Sequence, residues 1–268
     1  SIIDWLAFVP KRVKLFGSFF QQVDFLTRSG AGSWSMLADA IWEGKPIAGV
    51  KALAKYPQSV TTILRSNFRP AFRQTLAKQL DSIKPLVVGR PGINLKGISE
   101  AGLSTMDVTI FPKEMDKIVR EVANETGIFK LPKKFGRAVV ELESAMRRGL
   151  FEGVYRSALI TDIKNNIAPM AARMYSHLND AQLNGVIARI TNIKYSTIPA
   201  SQSVIQNRVL RETLRRVFFS MSESEGLLRQ ASGAIKGPYT EFWRKHYIGA
   251  FLFVIAVANI IHFASTGE

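Results

Sequence analysis

Residues 243–264 read WRKHYIGAFLFVIAVANIIHFA. Ile248 to Ala264 form a run of 17 residues without a charged side chain. As an α-helix, at ~1.5 Å per residue, the run is roughly 25 Å long, the lower limit for a bilayer core of about 30 Å. Trp243 and Tyr247 bracket Arg244, Lys245 and His246 at its N-terminal end. Aromatic rings beside cations suit a headgroup zone, so Trp243, Arg244, Lys245 and Tyr247 are the candidate membrane-interface residues. If the run spans, the positive-inside rule places Arg244 and Lys245 on the cytoplasmic side. Asn259 and His262 then fall in the far half and need partners or closeness to the interface. A second reading stays open, in which the same run is a central helix of a soluble bundle.

Outward from this run, the period along the chain is helical and strand-like alternation is scarce. The expected fold is all-α: a multi-helix bundle in two helical subdomains joined by a Gly/Pro-rich strap, closed by a hydrophobic C-terminal helix. The divisions fall at 1–83, 84–110, 111–237 and 238–268. An amphipathic segment runs from Ile2 to about Leu26, and its aromatic and basic residues suit an interfacial helix, although aromatics in such a segment are more commonly core. Gly30-Ala31-Gly32 reads as a break and hinge, followed by a short helix over Ser35–Glu43. Helices are then expected from Pro46 to before Pro57, over Gln58–Asn67, and from Pro70 to about Ile83. The strap holds Pro85, Gly89, Pro91, Gly92, Gly97 and Gly102. In the second half, helices are expected from Pro112 to about Asn124 and from Lys133 or Lys134 to about Asn165. Pro169 and Asn179-Asp180 mark further starts. After Pro199, Leu210, Leu214, Val217 and Phe218 share one helical face. Ser222-x-x-Glu225 has capping-box spacing, and Pro238 opens the last helix.

The 268 residues include 36 Lys+Arg and 21 Asp+Glu, a formal net charge of +15, and no Cys. Without Cys there is no disulfide framework, thiolate metal site or cysteine nucleophile. The charge favours an anionic partner, a membrane or nucleic acid. Basic clusters lie at Lys11, Arg12, Lys14; at Arg65, Arg69, Arg73; at Lys130, Lys133, Lys134, Arg137; and at Arg208, Arg211, Arg215, Arg216. Arg208, Arg211 and Arg215 form an i, i+3, i+7 stripe that can track phosphates of lipid or DNA, or simply be a solvated face. These three, with Lys130, Lys133 and Lys134, are the candidate anion-binding residues. No zinc-finger, basic-region or RNA-binding signature accompanies them, so any nucleic-acid binding is expected to be non-specific and salt-dependent.

Signatures of catalysis are missing. His177, His246 and His262 are isolated, and none belongs to a metal-binding spacing. No phosphate-loop, dinucleotide or nucleophile-elbow motif occurs. Glu114/Asp116 and Glu141/Glu143 are spaced i, i+2, about 200° apart on a helix, so neither pair shares a substrate. The expectation is a non-enzyme without cofactor or metal.

Several short segments carry a resemblance. They are Asp24-Phe25 with Arg28-x-Gly30, Tyr56-Pro57, Ala101-Gly102-Leu103, the helix Glu143-Ser144-Ala145-Met146-Arg147-Arg148, and Phe218-Phe219-Ser220 before Trp243 and Tyr247. In this order, over about Asp24 to Ala258, the chain resembles a helical region of the large polyvalent proteins of bacteriophages and mobile elements. The arginine of the opening motif is spaced differently here, and the 143–148 helix matches that family's Ser-Glu-Arg-Ala type only approximately. The resemblance implies no catalytic residues. It implies a fragment of a larger internal virion, or ejection-type, protein that packs with other copies or the genome and engages the host membrane during delivery. The expected partners are virion proteins or further copies of the chain, an anionic membrane, and non-specific nucleic acid. The alternative is a helical subunit of a cellular membrane complex, held in a bacterial inner membrane by one C-terminal helix with the N-terminal side cytoplasmic.

Overall fold

A computed structural model describes residues 19–105, 149–197 and 221–267. Among them the chain is helical and has no strand, only an isolated bridge between Val87 and Arg90. The all-α expectation holds, with a long apolar helix at its C-terminal end.

Helix α1 spans Phe19–Trp42 and passes unbroken through Gly30-Ala31-Gly32. The expected hinge is therefore helix interior. Glycine is there because two neighbours come too close for a Cβ. At Gly30 a Cβ would lie 2.8 Å from the Phe253 ring, and at Gly32 it would run into the carboxylate of Asp162. Packing onto both sides outweighs the helix penalty of two glycines, about 1 kcal/mol each.

Three short helices follow, each with proline in its first turn, where the missing N–H costs nothing. They are α2 (Pro46–Leu53), α3 (Tyr56–Phe68) and α4 (Pro70–Gln79). The strap then runs from 84 to 105 and contains one short helix, α5 (Leu95–Glu100), capped by the Asn94 side chain. It turns at Gly89 and Gly102, whose positive φ angles of 78° and 100° favour glycine.

Residues 149–174 form a continuous helix, α6, with two wide π-helical stretches at Gly149–Tyr155 and Ile163–Ile167. The expected restart at Pro169 is not a break. The wide turn ending at Ile167 accommodates the lost N–H and the proline ring. Helix α7 (Asp180–Lys194) starts at Asn179 with a reciprocal capping box to Gln182, where the sequence places it. Helix α8 (Met221–Ile235) contains the Ser222-x-x-Glu225 segment, and α9 (Thr240–Thr266) is the last. The helices expected over 112–124 and after Pro199, and most of the Ile2–Leu26 segment, lie outside the described residues.

One buried cluster joins these elements. It draws on Phe25, Met36, Ile63 and Leu76, on Ile93, Leu95 and Ile98 of the strap, and on α6, α7 and the start of α9. The strap is stitched to one face of α7 by polar side chains at 180, 184 and 192. The Asp180 carboxylate accepts from Arg90 Nε (2.6 Å) and from the Gly92 N–H (2.9 Å). These bonds, the Arg90 one first, hold the Asp180 carboxyl below the usual carboxylate range. Asn184 donates to the Gly92 carbonyl (3.0 Å). Asn192 accepts from the Ser104 N–H (2.7 Å) and donates to the Gly102 carbonyl (2.9 Å). Backbone groups that lack a sheet or helix partner are thereby satisfied. Replacing Asn192 by Ala removes two of these bonds and leaves two backbone groups to find other partners. The expected loss is about 2 kcal/mol of unfolding free energy, read by chemical denaturation followed by circular dichroism.

Candidate functional site

The site grows from the small residues of α1. Ser29, Gly30, Ala31, Gly32, Ser33 and Ser35 are all buried. Small side chains let helix backbones approach closely, and α1 uses this on two sides. One side meets α9, antiparallel to it. Gly30 lies against Phe253, and a Cβ on Gly249 would meet Ser35 Cα at 2.5 Å. The other side meets α6 and the end of α7.

Between α1, α6 and α7 sits a buried ion pair. Lys194 Nζ lies 2.6 Å from Asp162 Oδ2, and both side chains are at most 1% exposed. The Tyr195 hydroxyl donates to the same oxygen (3.2 Å), and Asn166 Nδ2 donates to Asp162 Oδ1 (2.7 Å). Arg28 donates from Nη1 to the Lys194 carbonyl (2.6 Å), and its Nε pairs with Asp24 at 2.8 Å. Burial lowers the Lys194 pKa; the Asp162 carboxylate opposes the shift, and Arg28 adds to it. Burial, and then the neighbouring carboxylate, push the Tyr195 phenol well above its ordinary value. Nothing in the sequence flagged this pair, because Asp162 and Lys194 are 32 residues apart and belong to no motif.

A second polar cluster fastens the base of α9. Asp39, fully buried, is paired with Lys245 Nζ at 2.6 Å and with Arg173. Lys245 also reaches Glu241 at 2.9 Å. Ser35 Oγ lies 3.3 Å from His246 Nδ1, so His246 is a packed histidine at the helix contact.

The four expected interface residues divide two and two. Trp243, 1% exposed, is not at the surface. Its ring packs edge-on to Phe242 and His246, with the Gly233 Cα position directly beneath it. Lys245 is committed to Asp39 and Glu241. Trp243 corrects the expectation, for a geometric reason, while Lys245 keeps a side chain 13% exposed between its two carboxylates. Positions 242, 243, 246 and 249 face α1 and the core, and bury whatever stands there. Arg244 and Tyr247 stay at the surface, and Arg244 Nε donates to the Ala234 carbonyl at the end of α8 (2.9 Å). The anion-binding candidates Arg208, Arg211, Arg215, Lys130, Lys133 and Lys134 lie outside the described residues.

The outward face of α9 is apolar. Ile248, Phe251, Val254 and Ile255 are exposed, and from Ala258 to Thr266 every side chain is exposed, including Asn259 and His262. Thr240–Thr266 is long and apolar enough to cross a membrane, and 11% of its most apolar 18-residue stretch is buried. A core helix of a soluble bundle would be covered on all sides. The helix is thus compatible with membrane association. Ile41, Trp42, Ile47 and Val50 add exposed apolar surface around the α1–α2 corner.

No protein-family model matches this sequence, and no curated protein or solved structure matches it either.

The buried pair has a measurable consequence. Asp162→Asn and Lys194→Met each leave a buried partner without its counter-charge, and each is expected to cost about 3–5 kcal/mol of stability. The double variant Asp162→Asn/Lys194→Met is expected to cost much less than the sum. A double-mutant cycle from urea denaturation reads the coupling.

Proposed function

We propose that this chain is a non-enzymatic structural protein whose helical bundle holds an apolar helix ready for an anionic bilayer. The observation that carries the reading is the two-sided character of α9. Its inner face is pinned by Asp39–Lys245, Trp243 and the Gly249–Ser35 contact. Its outer face and far end present Ile, Val and Phe to the surroundings. A net charge of +15 draws such a chain to anionic lipid, and apolar burial then holds it there. Placed beside the resemblance to polyvalent phage proteins, this reading makes the chain part of an internal virion, ejection-type protein. Its bundle packs with copies, other virion proteins or the genome, and its apolar helix engages the host membrane during delivery.

A second reading is a subunit of a cellular membrane complex with one anchoring helix. The rigid fastening of α9 at its base favours it, since a permanent anchor gains from a fixed helix. Native mass determination of the purified assembly separates the two: capsid and portal proteins accompany the first, and a fixed 1:1 partner the second.

Flotation with anionic liposomes tests the membrane step. The full chain is expected to float. The chain lacking residues 248–268 is expected to remain with the unbound protein. Phe251→Asp places a charge on the outward face one turn inside the interface, where the cost is below the mid-bilayer value of about 2.5–3.5 kcal/mol, and it is expected to lower partitioning by about tenfold. Equal flotation of all three, at ionic strength high enough to screen surface charge, overturns the proposal.

A further inference from the structure

Away from α9's outer face, a polar cleft of about 310 Å³ lies between α3 and α6. Lys55, Gln58, Ser59 and Thr62 line it from one helical face, and Thr161, Lys164 and Asn165 line it from the other. The lining holds two lysines, amides and hydroxyls, and no carboxylate. The wide helical turn Ile163–Ile167 carries Lys164 and Asn165 to the cleft. Such turns recur at functional sites because they re-aim side chains that a regular helix would point elsewhere.

The donors have spare capacity. Lys164 Nζ gives one hydrogen bond, to Gln79 Oε1 (2.8 Å), and an ammonium has three to give. Asn165 Nδ2 reaches Ser59 Oγ at 3.4 Å. The Ser59 and Thr62 hydroxyls bond carbonyls of their own helix, Lys55 O and Gln58 O. The cationic groups therefore carry most of the recognition. Burial, and then the nearby charge of Lys84, lower the Lys164 pKa. A bound anion offsets the effect of that repulsion on Lys164.

We propose that this cleft binds a phosphate group through Lys55 and Lys164. Two sources share that chemistry, a soluble phosphate and a lipid headgroup. The fold brings the second within reach. Tyr56, next to Lys55, donates to the Leu26 carbonyl (3.1 Å) and packs edge-on to Phe253 of α9, with ring centroids 6.0 Å apart. Tyr56 thus ties the start of α3, which carries the Gln58, Ser59 and Thr62 side of the cleft, to the helix assigned to the membrane. The lipid source rests on that assignment; the phosphate site does not.

Titration of the full chain with inorganic phosphate, by calorimetry at physiological ionic strength, is the first arm. Saturable binding is expected. Lys55→Gln/Lys164→Gln is expected to weaken it about tenfold or more, as loss of charge-assisted bonds implies. Lys96→Gln/Lys236→Gln removes the same charge from exposed positions elsewhere and is expected to leave the affinity within about twofold. Lys164→Arg keeps the charge and is expected to retain binding, and a wild-type helical spectrum for each variant certifies the fold. The second arm compares phosphatidylcholine vesicles doped with phosphatidic acid or with phosphatidylglycerol at matched charge. A preference for phosphatidic acid that Lys55→Gln/Lys164→Gln abolishes assigns the site to a lipid headgroup. Phosphate binding without that preference assigns it to soluble phosphate. No saturable phosphate binding, or equal losses in the two double variants, overturns the site, whatever the flotation of Phe251→Asp shows.

Discussion

The contact between Asp162 and Lys194 constrains everything around it. Two charges removed from water cost several kcal/mol each, and are tolerated only when each finds the other with its remaining hydrogen bonds met. Here the 2.6 Å pair is completed by Tyr195 and Asn166. That completion requires α6, the end of α7 and the backbone of α1 to meet at one point. Gly32 makes the meeting possible, since any side chain there would displace the carboxylate. The pair is therefore less a source of net stability than a demand for one arrangement.

Helix α1 meets that demand on one side and carries α9 on the other. Its small residues cannot fill space themselves, so both neighbours close onto its backbone. The same stripe that accepts the ion pair thereby seats Phe253 and Gly249. Asp39 extends the arrangement by one more charged cluster, tying α9 through Lys245 and α6 through Arg173. Once its inner face is fixed at so many points, α9 has no freedom to roll its apolar outer face inward. The exposed apolar surface is a consequence of good packing behind it.

Much of the helical order was legible in the chain. Proline at the start of short helices, Asn179 before Asp180 and the Gly/Pro content of 84–105 are local signals, and each acts within a few residues of where it stands. The length and apolar character of the last helix were equally plain. The errors came where local chemistry was overruled. Two glycines in α1 look like a hinge until two helices pack on them, and Pro169 looks like a start until a wide turn precedes it. Trp243 looks like an interface anchor, yet its position on the helix turns it into the core. Neither the Asp162–Lys194 centre nor the Lys55–Lys164 cleft leaves any spacing to find, because each joins helices distant in sequence.

By itself the sequence determined the all-helical class, the absence of thiol chemistry, the basic balance and the presence of one helix apolar enough for a membrane. These follow from composition and short-range periodicity, which depend on the chain alone. The tertiary structure decided which face of that helix is covered, which lysines are spent on buried carboxylates and which still face a cleft with donors to spare. Those outcomes depend on close approach of backbones and on the cost of stranding a charge away from water. Both are properties of pairs of distant residues, and neither exists until the chain has folded.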